Sequence, residues 1–171
     1  MPATDFDRLP DDARAWVFAA SRPLADAEAA ALLGRVDEFL ARWAAHGHPV
    51  VGARDLRHGR FLLVAADERA TGVSGCSIDS LFDQLRALQD ELDVALLDPG
   101  PVWFRDAGGE IRGLPRPEFR ALARDGGVTA DTIVFDNTVG TVGDVRHGRW
   151  ETALRNAWHA KAFPIPQPAH G

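Results

Sequence analysis

The stretch Ser74-Gly75-Cys76-Ser77-Ile78-Asp79-Ser80 holds the chain's only cysteine among small and oxygen-bearing residues. It joins an apolar strand candidate, Phe61 to Ala66, to the cleanest amphipathic helix candidate, Ile78 to Leu92. Small and capping residues in front of a helix make a tight turn whose free N–H groups point outward, the physical basis of many anion and thiolate sites. Ser74, Gly75, Cys76, Ser77 and Asp79 are therefore candidate ligand-binding residues. In a catalytic role Cys76 is the nucleophile or redox sensor, its thiolate favoured by the helix N-terminus, with Asp79 beside it. The plainer alternative is architectural: Ser77 or Asp79 caps the helix, and Cys76 is a small buried residue in the turn.

A second constellation is basic. Arg54, Arg57, Arg60, Arg146 and Arg149, with His58 and His147, would form a phosphate or carboxylate site if the turns that carry them are neighbours. Of these, Arg57, His58 and Arg60 are the candidate residues for an anionic small molecule; the alternative is a solvated turn. The turns look alike because Asp55-Leu56-Arg57-His58-Gly59-Arg60-Phe61 recurs as Asp144-Val145-Arg146-His147-Gly148-Arg149-Trp150. Unequal helices upstream argue for two similar turns and against a duplicated domain. Asp67, Glu68 and Asp79 are too irregularly spaced for a hard cation, and His46-Gly47-His48 offers zinc too few ligands, so no metal is expected. The five tryptophans read as packing residues, although Trp150 and Trp158 beside Arg149 and Arg155 suit a contact surface.

Other chemistry is excluded by composition. Lys161 is the only lysine and no glycine loop precedes it, so a phosphate-binding P-loop is absent and Schiff-base chemistry is not expected. One cysteine excludes an intrachain disulfide and any Cys-rich zinc or iron–sulfur site, and it fits a reducing, cytoplasmic setting. A net charge of -6 argues against a general nucleic-acid binder. No apolar run reaches 18 residues, so no membrane span is expected, and the acidic start is unlike a signal peptide. No cofactor is indicated. With 171 residues, 46% of them hydrophobic, the chain can bury one sizeable core plus an extension.

The elements that must position these residues follow from periodicity. Ala15 to Ala20 is a continuous apolar run and reads as a buried strand. From Ala25 to His46 apolar residues fall at helical spacing, with Gly47 as the stop. Val50 to Arg57 alternates like an edge strand, Phe61 to Ala66 reads as a central one, and Val94 to Asp106 is a fourth strand interrupted by Asp98-Pro99-Gly100-Pro101. This β-α-β-β-α-β order predicts an α+β, ferredoxin-like antiparallel sheet over residues 13–106, with the first and third strands as its central pair. Residues 1–12 read as a flexible lead-in and 107–163 as a small extension packed on the core. The extension is built from a hairpin at Gly108-Gly109, a helix from Pro117 to Arg124, a strand at Ile133-Val134-Phe135 and a helix from Trp150 to Phe163; 164–171 reads as a disordered tail.

Arg14-x-Trp16-Val17-Phe18, Arg22-Pro23-Leu24, Gly75 to Ser80, Asp131-Thr132-Ile133-Val134-Phe135-x-Asn137 and Trp158-His159 resemble a family of small uncharacterised bacterial proteins. The resemblance spans most of the chain. Members often carry the label "ABC transporter ATPase", which the missing Walker A lysine loop and ABC signature do not support here. The resemblance implies a fold and no mechanism. In addition, Glu118-Phe119-Arg120-Ala121-Leu122 with Gly127 to Phe135 is similar to the helix-turn-strand half of GYF-like modules, within 110–137, and implies a peptide-binding partner surface. Glu110-Ile111-Arg112-Gly113-Leu114 replaces the aromatic signature those modules carry. Two functions of different class result: a non-catalytic binding module for a protein, peptide or anionic small molecule, and a small thiol-dependent enzyme or redox sensor centred on Cys76.

Overall fold

The computed structural model describes residues 4–69 and 72–166. The chain is mixed α+β and divides into two units, Met1–Asp98 with Asn137–Arg146, and Pro99–Asp136 with His147–Gly171. The boundary thus falls before the position expected at 106/107, and the chain returns to the first unit at Asn137.

The first unit is built on a four-stranded sheet. Its strands are β1 (Thr4–Asp5), β2 (Arg14–Ala19), β5 (Val51–Arg57) and β6 (Phe61–Asp67), in the order β1-β5-β6-β2. β6 is antiparallel to both neighbours, with Val64 opposite Trp16 and Arg54, and every residue of it is buried, as its unbroken apolar run demands. Helices α1 (Asp26–Arg42) and α2 (Gly75–Leu92) cover one face; Leu32, Val36, Leu40, Leu81, Leu85 and Leu88 meet Phe18, Leu62, Val64 and Ala66 there. Gly52 lets β5 approach α1, since a β-carbon at that position would lie 2.9 Å from Leu40 Cδ2. Beside it, Arg54 grips Asp37 of α1 through two 2.8 Å hydrogen bonds.

The ferredoxin-like order is met by three strands, and the fourth departs. The segment after α2 does reach the end of β2, where Ser21 N–H donates to the Ala95 carbonyl and Ala95 N–H to Ser21 Oγ. The next donors, Leu96 and Leu97 N–H, go to the Gln89 side chain, and Pro99 and Pro101 have no N–H to offer. Of Val94 to Asp106 only β7 (Val102–Arg105) is a strand, and it belongs to the second unit. β2 is consequently an edge, its ends covered by Gly140–Val142 and Ala95, while β5 is interior because β1 pairs with it.

The lead-in is likewise structured from Thr4. Phe6 and Leu9 are buried, and Arg146 binds the carbonyls of Asp7 and Leu9 and the carboxylate of Asp11. Helix α1 ends at Arg42, not His46: Trp43 turns extended, and a tight hairpin joins β3 (Ala44–Ala45) to β4 (His48–Pro49) through His46 and Gly47, both at positive φ.

The second unit carries the antiparallel sheet β10-β9-β7-β8, with β8 (Ile111–Leu114), β9 (Ile133–Phe135) and β10 (Glu151–Ala153). Helix α3 (Arg116–Arg124) packs Phe119 and Ala123 onto Phe104, Val134 and Phe163. The expected helix over Trp150 to Phe163 is reduced to a single α-helical turn, His159–Ala162, because Glu151–Ala153 is drawn into the sheet against β9. In the tail, Ile165 packs on the same core, and 167–171 lie outside the described residues.

Candidate binding surface

Ser74, not Ser77 or Asp79, caps α2. Its Oγ accepts the Ser77 N–H at 3.1 Å, and its hydroxyl lies 2.7 Å from Ser77 Oγ, which donates onward to the Ala44 carbonyl at 2.9 Å. Each hydroxyl has one proton, so the direction is fixed: Ser74 donates to Ser77 and Ser77 to Ala44. Ser77 is the buried member of the turn, whereas Cys76, expected inside, is exposed together with Gly75, Asp79 and Ser80. The helix begins three residues earlier than the stripe from Ile78 suggests, which brings Cys76 into its first turn.

Three arginines of the basic constellation are paired with carboxylates. Arg57 Nε donates to Asp55 at 2.9 Å, Arg54 holds Asp37, and Arg146 holds Asp11. Arg60 is buried in the β5–β6 turn, where desolvation pushes its pKa below the usual value. His58 and Gly59, at φ 56 and 66, with Arg60 make that turn a three-residue hairpin connection between the paired Arg57 and Phe61. Arg57, His58 and Arg60 therefore shape the hairpin, and the seven residues of β6 separate them from the Ser74–Asp79 turn by about 20 Å. The structure does not bring the two sequence-predicted groups together. The recurrence at Asp144 to Trp150 is a helix end leading toward β10, with Gly148 at φ 76.

The carboxylates are also accounted for. Asp67 is chelated by Arg69, which lowers its pKa, and Glu68 pairs with Arg14. Among the described residues no three His, Cys, Asp or Glu side chains gather as a metal-binding group, and no helix is long and apolar enough to cross a membrane.

What the sequence reading missed lies in the second unit. Among the described residues at least ten arginines have carboxylate partners. Arg112, Arg116, Arg120 and Arg124, all exposed, have none among the described residues. On α3, at about 100° per residue, Arg116, Arg120 and Arg124 span an arc of about 80°, and Glu118 lies well outside it. The guanidinium of Arg116 sits 5.0 Å from the Trp158 ring centre and that of Arg120 5.4 Å from Phe163. Trp158 is stacked on His159 at 4.0 Å, and Phe163 packs on Phe119 at 4.9 Å. The planar cations are thus laid on rings anchored in the core, with their N–H edges left for an acceptor.

His159 closes this stack from beneath. It is 1% exposed, and its Nδ1 has no hydrogen-bond partner. Burial, opposed by the Asp136 charge and reinforced by that of Arg116, lowers its pKa to about 4, so the ring is neutral at pH 7. The sequence signal for the surface is an arginine at every fourth position from 112 to 124; its aromatic floor, more than 30 residues away, gives no such signal.

Comparison with known proteins yields no relative: no family model matches the chain, no curated protein matches it in sequence, and no solved structure matches its fold.

Proposed function

We propose that this protein is a non-catalytic binding module that holds an anionic partner on the arginine face of α3. The observation that carries this reading is clustering without pairing: Arg112, Arg116, Arg120 and Arg124 are exposed, recur at every fourth position and have no ion pairs among the described residues, whereas at least ten arginines elsewhere are held by nearby carboxylates. In a chain of net charge -6, a concentrated basic face steers anionic ligands to one place. Its position on the helix that precedes β9 agrees with kinship to GYF-like modules. The three-stranded β2-β6-β5 arrangement, antiparallel and covered on one face by α1 and α2, supports a ferredoxin-like core in the first unit. One cysteine supports a cytoplasmic setting, and the overall acidity disfavours nucleic acid.

A labelled polyglutamate probe, followed by fluorescence anisotropy, tests the reading. Binding that weakens with added salt and is lost in Arg116→Glu/Arg120→Glu supports it; salt-insensitive binding, or none, removes it.

The exposure of Cys76 favours a second reading, a thiol-dependent enzyme or redox sensor. Rapid iodoacetamide labelling of the folded protein at neutral pH, with loss of activity toward a disulfide or peroxide in Cys76→Ser, would establish it; slow labelling removes it.

A further inference from the structure

The geometry points to an extended acidic peptide, with carboxylates at alternate positions, as the partner class of the α3 face; this inference rests on the anionic-partner reading above. Arg116, Arg120 and Arg124 recur every four residues, and at 1.5 Å per residue their helical positions are about 6 Å apart along the axis. An extended chain rises about 3.3 Å per residue, so acidic side chains on one of its faces recur about every 6.6 Å. Three carboxylates at i, i+2 and i+4 therefore match three guanidiniums in step. A contiguous acidic run points its neighbours to opposite sides and presents only every other charge.

The donors suit carboxylates. Each guanidinium is a planar fork able to bind both oxygens of one carboxylate. Two of the three are held against Trp158 and Phe163, which reduces the rotamer freedom lost on binding. Arg112 on β8 extends the positive surface beyond the helix start, and no carboxylate within the arc of the three competes with the ligand.

A single-stranded nucleic acid fits less well. Its binding relies on aromatic faces free to stack bases, and here Trp158 is engaged by Arg116 and His159 while Phe163 is fully buried.

The test uses the intact protein and three labelled probes at equal concentration: a Glu-Ser-Glu-Ser-Glu peptide, a Glu-Glu-Glu-Ser-Ser peptide of the same composition, and a short oligothymidylate. The expected result is that the alternating peptide binds about 5-fold or more tightly than the contiguous one and that Arg120→Glu lowers its affinity at least about 10-fold. Arg120→Lys, which keeps the charge and loses the fork, is expected to lower it about 3-fold. Urea midpoints of both variants, lowered only slightly by loss of the Phe163 contact, show that the fold is intact. Equal binding of the two peptides overturns the register match while leaving the anionic face standing. Tighter binding of the oligonucleotide overturns the peptide assignment, and failure of all three probes together with polyglutamate overturns the underlying reading as well.

Discussion

The indole Nε1 of Trp43 donates to the Ser77 carbonyl at 2.9 Å, while Ser77 Oγ donates to the carbonyl of Ala44, the residue after Trp43. The first turn of α2 is therefore stitched to the end of α1 from both sides. This makes the cysteine-bearing turn a structural joint between the two helices that cover the sheet.

Removing the stitches should cost stability in a defined order. Ser74→Ala loses the cap, about 0.5 to 2 kcal/mol. Ser77→Ala removes the hydrogen bond to the part-buried Ala44 carbonyl, about 0.5 to 1.5 kcal/mol. Asp79→Ala and Cys76→Ala, both exposed, should stay within about 0.5 kcal/mol. Urea unfolding of the four variants gives the ranking; a larger loss for Asp79→Ala than for Ser74→Ala would contradict the cap assignment.

His159 makes the second unit acid-sensitive. The unfolded histidine takes up a proton near pH 6.5, but the buried ring takes it up only at about pH 4. The depressed value means that stability is intact above pH 6.5 and falls as pH drops toward 4, by at most about 3.5 kcal/mol at about 1.4 kcal/mol per unit. His159→Phe removes both the titration and the buried, unpartnered Nδ1. Thermal melts between pH 7 and 4.5 should show a flatter profile for the variant; parallel profiles would contradict this account.

Leu63 lies on β6 with no solvent exposure, between Val17 and Asp55 in register. Leu63→Ala should cost about 2 to 5 kcal/mol, and the amides of Phe61 to Ala66 should be among the slowest to exchange with deuterium. Fast exchange there would contradict the central placement of β6.

Gly127 follows the end of α3, where its N–H donates to the Leu122 carbonyl at 2.9 Å. A β-carbon at this position would fall 2.2 Å from Leu122 Cδ1, so Gly127→Ala must displace a side chain packed on the core. An expected loss of about 1 to 3 kcal/mol, typical of overpacking, is measurable by calorimetry; a neutral variant would contradict the close approach.

The strands and helices of the first unit could be read because period and composition agree there: the apolar run of β6 and the leucine stripe of α2 are local signals. The fourth strand could not be placed, because its fate depends on Gln89 taking two backbone donors from a turn away and on two prolines whose effect is felt only in a ladder. Cys76 was expected inside on residue type alone, and a start three residues earlier for α2 was enough to expose it while burying Ser77. Arg57, Arg60 and Arg146 looked like a ligand site because the acids that pair with Arg57 and Arg146, Asp55 and Asp11, are assigned only by the fold. The arginines of α3 stood in plain view at four-residue spacing, yet sequence cannot say which arginines lack a partner or that Trp158 and Phe163 lie beneath them.

The central claim is that the α3 arginine face holds the partner. Its most direct test is amide chemical-shift mapping of the labelled protein titrated with the alternating glutamate peptide. The account predicts shifts concentrated on Arg112, Arg116 to Arg124 and Trp158 to Ile165, with Gly75 to Ser80 and Arg57 to Arg60 unmoved. Shifts centred on Gly75 to Ser80 or on the Arg57-His58-Gly59-Arg60 turn, with α3 silent, would contradict it.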